Sequence, residues 1–173
     1  MLNANTFANL IKTNLSGVTT ASEANQILGD TISSYLLANT VFSFAWAATL
    51  PPTPDPVVVA SGKFISLVIT ISPSGATNAV DANEALKNQI VSGMSSATYN
   101  IVGAGFSTVP ASMSSSVTLD NLDLSPSGET DGSLAMINKC QKIIDWIKQL
   151  APKAPVTGTH SPYSGSGTVV SIS

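Results

Sequence analysis

Few side chains in this 173-residue sequence are equipped for chemistry: one histidine, one cysteine and a small group of acids. His160 stands in the run Gly158-Thr159-His160-Ser161-Pro162-Tyr163. A Ser/His/Asp hydrolase needs an oriented imidazole and a nucleophile on a strand–turn–helix elbow. The serines of Ser164-Gly165-Ser166-Gly167 precede a β-like run instead of a helix, so His160 reads as a loop histidine. Cys140 falls on the apolar face of a helical pattern beside Met136 and Ile144, with no cation placed to lower its pKa. It reads as a small buried hydrophobe. Asp120, Asp123, Glu129 and Asp131 form the one acidic cluster. Their spacing is not that of the twelve-residue calcium loop, and a solvated loop with a helix cap accounts for them. Gly103-Ala104-Gly105 lacks the following Gly-Lys-Ser helix of a phosphate loop. One cysteine and one histidine allow neither a disulfide framework nor a Cys/His zinc cage. The sequence therefore points to no catalytic set, no metal site and no cofactor. A hydrolase using His160, or Asp120 with Asp123, stands third among the functional readings.

Composition agrees with a chain built for packing. Charged residues are 10%, against about 25% in ordinary soluble domains. The seven basic residues are all lysine, the acids number ten, and the net charge is −3. Phosphate recognition needs a basic face and usually arginine forks, so nucleic acid is excluded as the primary partner. Hydrophobic residues, at 43%, suffice for the core of one domain. The uncharged stretch 31–54 is diluted by Ser33, Ser34, Asn39, Thr40 and Ser43 and has no lysine anchor. A buried helix followed by a buried strand is expected there, with no membrane span. Met1-Leu2-Asn3-Ala4-Asn5 lacks the basic start of a secretory signal.

The elements that must position these residues recur. Laid over one another at an offset of 58, segments 16–36 and 74–94 are identical at nine of 21 positions, including Ser-Gly-x-Thr and an Ala-Asn pair. A third Ser-Gly-x-Thr opens at Ser127-Gly128-Glu129-Thr130. Ile71-Ser72-Pro73 and Leu124-Ser125-Pro126 close the first two units, and Ile172-Ser173 lies at the corresponding end of the third. The expected organisation is an N-terminal helix over 1–15 and repeat units over 16–73, 74–126 and 127–173, all in one domain. Compositional bias toward Ser, Ala, Thr and Gly is the competing explanation.

Each unit reads as helix, linker, strand. Thr20 with Glu23, Asn78 with Asp81, and Thr130 or Asp131 supply helix starts. Apolar residues follow at helical spacing: Ile27, Leu28, Ile32 and Leu36; Leu86, Ile90 and Met94; Ile137, Cys140, Ile144 and Ile147. In the third helix Lys139, Lys142 and Lys148 sit toward the C-terminal half, where the helix dipole favours cations. Phe7, Leu10 and Ile11 form the stripe of the N-terminal helix. Four prolines within 51–56 make a stiff spacer. Strands are expected over 63–71, with Ile65, Leu67, Ile69 and Ile71 on one face, over 117–124, and over 167–173. The fold class is α+β, with three pseudo-repeated helix–linker–strand units packed into one compact domain behind an extra helix.

Phe42, Phe44, Trp46, Tyr99 and Phe106 follow the helices, and Tyr163 precedes the last strand. These aromatics either fill the shared core or form an interface with another protein. Low surface charge suits a chain largely covered in an assembly, and the strand at 167–173 could lend an edge to a neighbour.

Ser16-Gly17-Val18-Thr19, Ser74-Gly75-Ala76-Thr77, Phe44-Ala45-Trp46 and the 157–169 run together resemble small structural proteins of tailed bacteriophage particles. That resemblance implies a non-enzymatic building block of the virion, made in the host cytoplasm and present in many copies. Its partners would be other particle proteins of the tail, baseplate or neck. The alternative is a capsid decoration or adhesin-like module, with Trp46, Phe106 or Tyr163 exposed on a carbohydrate-binding groove.

Overall fold

A computed structural model describes residues 1–48, 58–102, 106–108, 111–112, 121–126, 128–150, 155–160 and 163–173. In strand residues 44–48, 58–60, 101–102, 106–108, 111–112, 155–160 and 163–170 it describes the backbone alone. The elements in chain order are α1 (Ala4–Asn14), α2 (Ala21–Asn39), β1 (Phe42–Ala48), β2 (Val58–Ser66), α3 (Ala79–Ser95), β3 (Thr98–Val102), β4 (Phe106–Thr108), β5 (Ala111–Ser112), α4 (Gly132–Leu150), β6 (Pro155–His160) and β7 (Tyr163–Ile172). The chain is a mixed α+β fold.

Local chemistry explains where the helices start. Asn3, Thr20 and Asn78 adopt extended backbone, and each accepts a hydrogen bond from the N–H three residues on: Thr6, Glu23 and Asp81. Asp131 Oδ1 does the same for Ser133 and Leu134, so Asp131, of the two candidates, caps α4. These bonds satisfy donors that a helix start leaves orphaned. Gly17, Gly75 and Gly128 hold φ of 81°, 65° and 76°, a left-handed turn that only glycine adopts cheaply.

All strand pairings are antiparallel, in the order β4-β6-β7-β1-β2-β3-β5. The outermost members, β4 and β5, are joined through Thr108 and Ala111, three residues apart. Three Cα–Cα steps reach at most about 11 Å, whereas a flat seven-stranded sheet would set its edges about 29 Å apart. The sheet therefore curls until its edges come together. Inside that curl Phe42 meets Phe64 edge-on at 4.8 Å and stacks on Tyr99 at 5.1 Å. Ile172 lies in register with Phe42, so β1, β2, β3 and β7 each send one buried side chain to this cluster.

The helices bury their apolar stripes together: Phe7 and Ile11 of α1, Ile32 and Leu36 of α2, Ile90 and Met94 of α3, Ile144 and Ile147 of α4. Phe7 stacks flat on Tyr35 at 4.2 Å. The Tyr35 hydroxyl donates to the Asn3 carbonyl at 2.9 Å and accepts the Asn3 N–H at 2.7 Å, which ties α1 to α2. Leu10, expected on the buried stripe, is partly exposed.

Several expectations are corrected. The strand expected over 63–71 runs instead over Val58–Ser66. A bulge between Phe64 and Ser66 shifts the inward phase, so Phe64, Leu67 and Ile69 are buried while Ile65 is half-exposed. Residues 122–124 of the run expected at 117–124 belong to no strand, although Leu122 and Leu124 are buried; 117–120 lie outside the described residues. A strand is the next element after each of α2, α3 and α4, at Phe42, Thr98 and Pro155, with a second strand following in the first and third units and two more in the second; the proline spacer expected over 51–56 lies outside the described residues. Finally β7 is no edge: it begins at Tyr163 and pairs with β6 on one side and β1 on the other. The ladder expected to receive a neighbour is already filled.

Candidate functional site

His160 ends β6, with its backbone in register with Phe106 on one side and Tyr163 on the other. It is a strand residue, not the loop residue the Gly/Pro-rich sequence suggests. Cys140 is buried on α4, and burial pushes its thiol up to about 12. A thiol so disfavoured as thiolate is a packing group.

The acids are engaged one by one. Asp123 Oδ1 accepts the N–H of Ser125 at 2.8 Å and its hydroxyl as well. Those two bonds, with smaller help from the Lys142 and Lys87 charges, hold the Asp123 carboxyl below its ordinary value. Asp131 caps α4. Glu129 is exposed. Asp120 and Gly103-Ala104-Gly105 lie outside the described residues. Among the described residues no three His, Cys, Asp or Glu side chains stand together around a metal position.

The aromatic candidates divide. Phe42 and Tyr99 are fully buried within the chain, so of the two roles weighed for them the core one applies, and they offer nothing to a partner. Burial pushes the Tyr99 phenol up to about 12. Phe44, Trp46, Phe106 and Tyr163 lie on β1, β4 and β7, and their side chains are outside the described residues.

Geometry brings other residues together. Between the start of α3 and the middle of α4 lies a cavity of about 380 Å³, floored by Ser125, Pro126 and Gly128. Ala79, Ala82 and Ala135 form its apolar walls, while Asn83, Asn138, Lys139 and Lys142 supply the polar ones, with Glu129 beside them. Lys142 Nζ donates to the Ser125 carbonyl at 3.0 Å and stands 3.9 Å from Asp123 Oδ2. Lys139 is half-buried, and desolvation lowers its pKa. Two of these polar residues stand in line with the apolar stripes of their helices, and the sequence pattern alone did not mark them as a site. Asn83 lies seven residues before Ile90 on the apolar stripe of α3, and Lys139 lies four before buried Ile143 on α4. Trp146, also buried on α4, was another core member outside the pattern read from sequence. No helix among the described residues is long and apolar enough to cross a membrane. The chain matches no protein-family model, no curated protein and no solved structure.

Proposed function

We propose that this chain is a non-enzymatic structural protein of a tailed phage or phage-like particle, working by protein–protein assembly in the tail, baseplate or neck. The observation that carries the reading is the apolar character of the exposed surface. Ile65 near the end of β2 and Val68 just beyond it are 50% and 68% exposed, and Val80 in the first turn of α3 is 63% exposed. Exposed apolar side chains on a chain with only 10% charged residues mark surface that a neighbour covers.

The same proposal includes an architecture, a ring of three related helix–hairpin units. Coincidences at offsets of 58 and then 53 support it. They align the left-handed glycines Gly17, Gly75 and Gly128 and the caps Thr20, Asn78 and Asp131. They align Ile32, Ile90 and Ile143, and Leu36, Met94 and Ile147, all buried. They align three hydrogen-bonded pairs, each 17 residues apart: Asn14 with Thr31, Ser72 with Gln89, Ser125 with Lys142. Strand pairing supports a ring over a row. Each unit pairs within itself (β1 with β2, β3 with β5, β6 with β7) and with the next (β2 with β3, β4 with β6, β7 with β1).

The test is composition of the particle. Particles banded on a density gradient from the culture that makes this chain should contain it at a fixed copy number by quantitative mass spectrometry. Particles free of the chain overturn the reading.

A further inference from the structure

The α3/α4 cavity holds polar groups that no structural task uses. Asn83 is only 7% exposed, and its side-chain amide makes no hydrogen bond among the described residues. Asn83 lines the cavity, so its amide stays open to a guest there. Lys139 lines the same space and makes no ion pair or hydrogen bond among the described residues. Its neighbour Lys142 is already held by the Ser125 carbonyl and Asp123. The cavity thus offers one uncommitted ammonium, the unpaired amide of Asn83, and small apolar walls at Ala79, Ala82 and Ala135.

This inventory selects among ligands. An ammonium inside the cavity repels a cation, and the unpaired Asn83 amide penalises a purely apolar guest. A dianion would meet Glu129 without an arginine fork to offset the repulsion. A single carboxylate on a short aliphatic stem satisfies every group: its oxygens accept from Lys139 and the Asn83 amide, and its methylenes lie on the alanines. We propose that this cavity is a binding site for a carboxylate of that kind, either a free small acid or a glutamate side chain of another protein. The inference goes beyond the assembly reading and does not depend on it.

The experiment is an NMR titration of the isolated full chain, following the side-chain amides of Asn83 and Asn138 and the resonances of Lys139. The probes are butyrate, N-acetylglutamate amide and, as the uncharged control, N-acetylglutamine amide. Saturable shifts at these groups with either acid, and none with the control, are expected. Binding of the free acid alone identifies a small-molecule site, and binding of the glutamate amide identifies a protein side chain as the guest. Lys139→Met should weaken the response about tenfold or more, with the remaining amide spectrum unchanged; Lys139→Gln serves if the methionine variant does not fold. Absence of saturation with both acids overturns the proposal. So does an equal response to the control, or an undiminished response in the lysine variant.

Discussion

Two seams of this molecule follow the same path and are built oppositely. In the first, residues 67–71 leave β2 and run between α2 and α3. In the second, residues 122–126 run against α3 and α4. The first seam is closed. A Cβ at Gly29 would overlap the Ile69 carbonyl oxygen, and one at Gly93 would stand 2.6 Å from that of Val68. Ser33 Oγ accepts the Ile69 N–H at 2.8 Å while donating to the Gly29 carbonyl at 2.8 Å, so a backbone N–H outside the sheet is still satisfied there. In the second seam Lys87 occupies the position corresponding to Gly29, and the segment is held by the longer reach of Lys142 to Ser125. Here the helices leave the cavity lined by Asn83 and Lys139. Bare glycine lets backbone touch backbone and shuts water out. The second seam carries a long side chain at the corresponding place, and a cavity lies beside its segment.

The sharpest way to break this contrast is Gly29→Ala, which forces a methyl into the Ile69 carbonyl. It should cost about 3 kcal/mol or more, read as a lowered denaturant midpoint. Lys87→Ala, which removes only an exposed pair with Glu84 at 3.1 Å, should cost under about 0.5 kcal/mol. Equal losses would abolish the distinction. Next in size is Ser33→Ala, which strands the Ile69 N–H in the closed seam at about 1–3 kcal/mol; amide exchange at Ile69 should accelerate more than elsewhere. Asn78→Ala removes the α3 cap at about 1 kcal/mol, and a thermal melt with an unchanged midpoint would contradict the 2.9 Å bond to Asp81. A smaller change of opposite sign is expected from Lys139→Met, which removes a desolvated charge from the open seam and should raise the melting temperature.

The last effect is full at neutral pH and vanishes in alkali, where two other buried groups act in the opposite sense. In the unfolded chain the Cys140 thiol ionises near 9 and the Tyr99 phenol near 10; in the fold both wait until about 12. Between those limits the unfolded chain releases protons first, so stability falls as pH rises. Lys139 acts the other way, because its lowered pKa relieves a cost as pH climbs toward 10.5. Melting temperatures from pH 8 to 12 should therefore decline. In Cys140→Ala the decline should begin about a unit later, near 10; an unaltered onset would mean the thiol is not the group responsible.

What the sequence made legible were features whose cause is local. Caps and helical stripes depend on neighbours within a few residues, and Thr20, Asn78 and Ile90 could be read directly. Strand boundaries were harder. The unbroken β-branched run ending at Ile71 looks like one strand, but the bulge after Phe64 is set by pairing with β3, which no spacing within the run reveals. The burial of β7 between two neighbours is likewise a long-range fact. The cavity was invisible for a related reason: Asn83 and Lys139 are 56 residues apart, and each alone is an ordinary interruption of an apolar stripe.

The pairing of Phe42 with Ile172, continued by the two bonds between Val41 and Ser173 at 2.9 Å, has a consequence for synthesis. A ribosome delivers β1 early and β7 some 130 residues later. Until then β1 has one flank open, and Phe42 lacks the partner that closes the aromatic cluster from that side. Contacts so distant along the chain make for slow folding. The nascent chain therefore carries an unpaired strand flank from the synthesis of β1 until β7 emerges.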